Sequence, residues 1–78
     1  MRYNDVLAVY NDHGVTRENI SSRSDVAQEE RFKARRILYD SGLSLSDIAD
    51  FEFHVFGGNA GRSSVGYSIG VYEHRRTP

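Results

Sequence analysis

Apolar residues recur at helical spacing through the first two-thirds of the chain and at strand spacing in the last third. Val6, Val9, Tyr10 and His13 stand at i, i+3, i+4 and i+7, the stripe of an amphipathic helix. Asn4 or Asp5 fits its N-cap, and Gly14 fits the left-handed position that ends it. Thr16 then suits the cap of a single turn over 17–20, before the polar run Ser21-Ser22-Arg23-Ser24. Ser22 or Ser24 begins a long helix from about 25 to 41. At 100° per residue its apolar face is Val26, Ala27, Ala34, Ile37, Leu38 and Ser41, with Glu29 and Arg36 opposite and Phe32 and Tyr39 as a second aromatic strip. Gly42 closes it. A third helix starts at Ser44, with Asp47 completing a capping box and Leu45, Ile48 and Ala49, with Phe51 nearby, turned to the core.

Residues 51–72 support two readings. Phe51 to Phe56 and Val65 to Tyr72 each alternate at period two, are rich in β-branched and aromatic residues, and flank Gly57-Gly58-Asn59-Ala60-Gly61. That pattern predicts a β-hairpin and an α+β fold. The other reading is a fourth helix carrying Val65, Ile69 and Tyr72 on one face behind Ser63 or Ser64 as cap. It must accept Gly66 and Gly70 at about 1 kcal/mol each relative to Ala.

The 78 residues suffice for one small domain. Lacking cysteine, it has neither disulfides nor thiolate zinc ligands. That composition, with no apolar signal core near Met1 and no stretch approaching a membrane span, predicts a soluble cytoplasmic domain with no membrane partner. The net charge is −1, but it is unevenly spread. Between Arg23 and Arg36 stand Arg23, Arg31, Lys33, Arg35 and Arg36 against Asp25, Glu29 and Glu30, whereas 37–60 holds four acids and no Lys or Arg. His13, His54 and His74 lack metal-ligand spacing, the glycine run lacks the Lys-Ser/Thr of a phosphate loop, and no triad or carboxylate pair predicts an enzyme. Neither a cofactor nor a small-molecule substrate is expected.

The order of the pieces favours the helical reading. Gly14-Val15-Thr16-Arg17-Glu18-Asn19-Ile20, the Ser/Arg loop 21–24, Arg31, Ala34 and Ile37 at Arg-x-x-Ala-x-x-aliphatic spacing, Leu43-Ser44-Leu45-Ser46-Asp47-Ile48-Ala49, and Gly61-Arg62-Ser63-Ser64-Val65 leading to Ser68-Ile69 follow one another as in a known module. Over about residues 5–75 the chain resembles the C-terminal duplex-DNA-binding domain of the bacterial replication initiator DnaA, a helix-turn-helix module related to the Trp repressor. It lacks the family's Asp-His pair, so that Arg62 stands either at the family's Arg position with a deletion after it or at the His position, and its 48–65 segment is longer than the family's. The resemblance implies an all-α helix-turn-helix domain of about four helices. It also implies a small sequence-specific binder of double-stranded DNA in transcription or replication control, of the kind phages or mobile elements encode. The alternative, tied to the hairpin, is a module that binds a host or partner protein.

Under the resemblance, Arg62 contacts guanine in the major groove, Ser63 and Ser64 contact base edges or phosphate, and Arg23 in the basic loop contacts the backbone or minor groove. Arg35 and Arg36, or Arg75 and Arg76, supply charge to phosphate. Each has a plainer role open to it. Ser63 and Ser64 suit capping, Arg23 a solvated loop, and Arg35 and Arg36 surface pairs with Glu29, Glu30 or Asp40. Tyr67 and Tyr72 are expected in the core.

Overall fold

The computed structural model describes residues 2–71; Tyr72, His74, Arg75 and Arg76 lie outside them. Four α-helices run in order, α1 (Tyr3–Asp12), α2 (Asp25–Asp40), α3 (Leu45–Phe51) and α4 (Arg62–Ser68), with a π-helix (Glu52–Phe56) continuing α3. The fold is all-α. Among the described residues there is no strand, so the hairpin expected as the alternative for 51–72 does not form over 51–71. No helix there is long and apolar enough to cross a membrane.

The local signals explain most boundaries. Ser24 accepts from the Ala27 amide at 3.2 Å and starts α2. Ser44 and Asp47 form the expected capping box, with Asp47 N to Ser44 Oγ at 3.0 Å and Ser44 N to Asp47 Oδ2 at 3.2 Å. Thr16 and Asn19 make the same reciprocal pair around the single turn. α1 begins earlier than expected: Arg2 is its N-cap, and Asp5, instead of capping, accepts from the Arg2 amide at 3.2 Å. Gly14, Gly42 and Gly70 all have positive φ and close α1, α2 and α4, the following amides (Val15, Leu43, Val71) donating back to Tyr10, Leu38 and Gly66 carbonyls. Gly70 therefore ends α4 instead of weakening its interior, and only Gly66 carries the helix penalty.

The core comprises Val6, Tyr10, Val15, Ile20, Ala34, Leu38, Ile48, Ala49, Phe56 and Val65. Tyr10 stacks on Phe51 (5.6 Å between centroids) and meets Phe56 at a tilt (5.2 Å). The inward face of α2 is Arg31, Ala34, Arg35 and Leu38, rotated from the apolar stripe read in the sequence. Val26 is 71% exposed and Ile37 42%, so neither belongs to the core. Hydrophobicity misplaces this face because two arginines occupy core positions.

The reason lies in the π-helix. Ile48, Glu52 and Phe56, at steps of four, all point inward. Glu52 is 1% exposed and receives Arg35 from α2 in a two-pronged ion pair, Nη2 to Oε1 at 2.6 Å and Nε to Oε2 at 2.7 Å. Tyr10 Oη donates to the same carboxylate at 2.7 Å. A buried carboxylate needs such partners. A strand here would place Glu52 with His54 and Phe56 on one face and break that arrangement, so the tertiary pairing overrides the period-two pattern. The π-helix and the loop at 57–61 take up the extra length between Ile48 and Val65.

Candidate nucleic-acid interface

The start of α4 is flanked by two grooves that share one wall, the segment Gly58-Asn59-Ala60. That wall sits directly on the 17–20 turn: a Cβ at Gly58 would lie 2.9 Å from Ile20 Cγ1, so only glycine admits this approach. Gly57, in the left-handed conformation, ends the π-helix, and the Arg17 guanidinium lies beside it.

The first groove, about 390 Å³, opens between α2, the 21–24 loop and α4. Arg23, Gln28, Arg31, Phe32, Ser64 and Ser68 line it, with the Arg35–Glu52 pair at its base. Arg31 is only 8% exposed. Its Nη1 reaches the carbonyls of Asn19 (3.4 Å) and Ser22 (3.3 Å), and both Arg31 and Arg35 lie over the Phe32 ring at 5.6 and 5.7 Å. Burial, with the neighbouring Arg35 charge, holds the Arg31 pKa below its usual value. Among the described residues no carboxylate lies within ion-pair distance of Arg17, Arg23, Arg31 or Arg62. Arg31 is thus a cation set in a groove wall with carbonyl partners and, among the described residues, no carboxylate in direct ion-pair contact, Glu52 acting on it only at longer range.

The second groove, about 370 Å³, lies on the other side of the wall, against α3 and the π-helix. Ser46, Asp50, Phe53, Asn59 and Arg62 line it. Phe53 is 59% exposed, with the His54 ring edge-on at 5.1 Å.

The expected site residues separate accordingly. Arg62 is the first residue of α4 and is exposed, as are Ser63 and Ser64. The cap is Gly61, so neither serine caps the helix. Arg23 and Ser64 share the first groove, and Arg62 faces the second. Arg35 is corrected: it is buried against Glu52, and its Nη1 donates to Ser68 Oγ at 3.0 Å, so it ties α2 to α4 and has no charge free for phosphate. Arg36 pairs with Asp40 (3.3 Å) and donates to the Ile69 carbonyl at 2.8 Å, gripping the end of α4. Tyr67, expected in the core, is 46% exposed. Arg75 and Arg76 lie outside the described residues.

Glu52, Phe53 and Asn59 carried no signal of their own in the sequence. Arg31 was visible only as part of a pattern, although Arg31, Ala34, Arg35 and Leu38 at i, i+3, i+4 and i+7 already mark one helix face. Neither a protein-family model, a curated protein nor a solved structure matches the chain.

Proposed function

We propose that this domain binds double-stranded DNA, with α4 as the helix presented to the major groove and the first groove holding the sugar–phosphate backbone beside it. The observation that carries the reading is the first groove itself: Arg23 and Arg31, neither paired with a carboxylate, face Ser64 of α4 across one cleft. Cations not paired directly with a carboxylate suit phosphate contacts, because each neutralised phosphate releases condensed counterions. Arg62 and Ser63, exposed in the first turn of α4, are placed to reach base edges while the groove fixes the register. The resemblance to the DnaA duplex-binding domain points the same way and suggests a role in replication or transcription control. Glu29 and Glu30 are offset locally by Lys33, Glu30 also bonding His13, and Asp40 is offset by Arg36.

The test is a salt titration of binding to a random-sequence duplex. The expected outcome is affinity that falls as salt rises, with Arg23→Ala lowering it for all sequences and reducing the slope of log K against log[salt] by about 1. Arg62→Ala also weakens binding. If both variants bind like the parent at low salt, the assigned surface is wrong.

A further inference from the structure

The second groove differs in chemistry from the first, and that difference suggests what it contacts. Phe53 is 59% exposed, although the aromatic rings on either side of it, Phe51 and Phe56, pack on Tyr10. Within the π-helix Glu52 and Phe56 turn inward together, and Phe53 and His54 lie on the solvent side. π-turns inside α-helices are rare and concentrate at functional sites. The exposed ring shares its groove with Arg62 of α4, with the Asn59 side of the common wall, and with Asp50.

Asp50 makes this groove a poor phosphate site, because a carboxylate beside the single arginine repels the backbone. The same set suits the floor of the major groove. There guanine presents acceptors to an arginine, cytosine and adenine present amines to a carboxylate or amide, and thymine presents a methyl group to an apolar side chain. We infer that Phe53 is a specificity-determining residue that packs on the C5-methyl of a thymine next to the base pair contacted by Arg62. This rests on the reading of α4 as the DNA-facing helix and adds to it the class of base that the π-helix selects.

The experiment uses the full chain and duplexes selected by affinity from a random pool. Each thymidine of the selected site is replaced in turn by deoxyuridine, which removes only the methyl group. One replacement is expected to weaken binding by about fourfold, the order of magnitude for one lost apolar carbon contact. Phe53→Ala is expected to lower affinity for the thymidine duplex and abolish the discrimination at that position, while Phe53→Leu keeps part of it. Circular dichroism of each variant checks that the helices persist. The inference is overturned if no replacement matters to the parent, or if Phe53→Ala discriminates as the parent does. A chain that binds no duplex at any salt concentration overturns the DNA reading itself and this inference with it, an outcome distinct from binding without methyl discrimination.

Discussion

The two grooves beside α4 are separated by one strand of backbone and are built on opposite plans. In the first, all but the exposed Arg23 and Ser64 are held by the protein's own bonds: Arg31 by carbonyls and the Phe32 ring, Arg35 by Glu52, Ser68 by Arg35 and by the Val65 carbonyl at 2.7 Å. In the second, Arg62, Asp50 and Phe53 have no such anchors among the described residues beyond the His54 edge contact. Fixed charge suits a ligand that is the same everywhere along DNA, because no rotamer freedom is lost on contact. Side chains that can adjust suit the part of DNA that varies. The difference also assigns the stability of the domain to one side, since Glu52, Tyr10 and Arg35 back the first groove only.

Removing that backing should have the largest effect. Glu52→Ala strands a buried guanidinium and is expected to cost about 3–5 kcal/mol, a large share of the stability of a domain this size, measured by urea unfolding. Phe53→Ala, on the neighbouring residue, should stay within about 0.5 kcal/mol of the parent. Equal losses for the two would erase the contrast.

Next in size is the response to alkali. Burial, then the Glu52 charge and its hydrogen bond, hold the Tyr10 phenol far above the usual tyrosine range. The folded state therefore keeps a proton that the unfolded chain releases near pH 10. Tyr10's contribution is intact below that pH and is lost as pH rises above it. Tyr10→Phe should cost about 1–3 kcal/mol at pH 7 and flatten the decline above pH 10, followed by unfolding curves at stepped pH.

On DNA the two sides should separate by kind. Arg62→Ala is expected to cost about 1–3 kcal/mol on the preferred site and a smaller but measurable amount on random duplex, whereas Arg23→Ala should lower both alike, read by competition binding. The smallest expected change is in stability for Ser63→Ala and Ser64→Ala, within about 0.5 kcal/mol, because Gly61 is the cap. Ser44→Ala, which removes a real cap, should cost about 1 kcal/mol by the same measurement.

How much of this was legible follows from where the determining interactions lie along the chain. Ser24, Ser44–Asp47, Gly14 and Gly42 act on residues three to five positions away, so their caps and stops could be read directly. Arg35 and Glu52 are 17 positions apart and Tyr10 and Glu52 are 42 apart. Each looks like an ordinary surface or core residue until the others are in place. The α2 face, the π-helix and the loss of the hairpin all depend on that one meeting. The candidate site was legible in Arg23, Arg62 and the two serines, and illegible in Arg31 and Phe53, whose roles depend on a cleft formed between elements.

The glycine at 58 has a consequence for how the two clefts cooperate. Because Gly58, in the wall between them, is pressed onto Ile20, the 58–60 segment has no room there to move toward the 17–20 turn. The loop thus sets the spacing of the two clefts. Any side chain added there would reset the spacing on both sides at once.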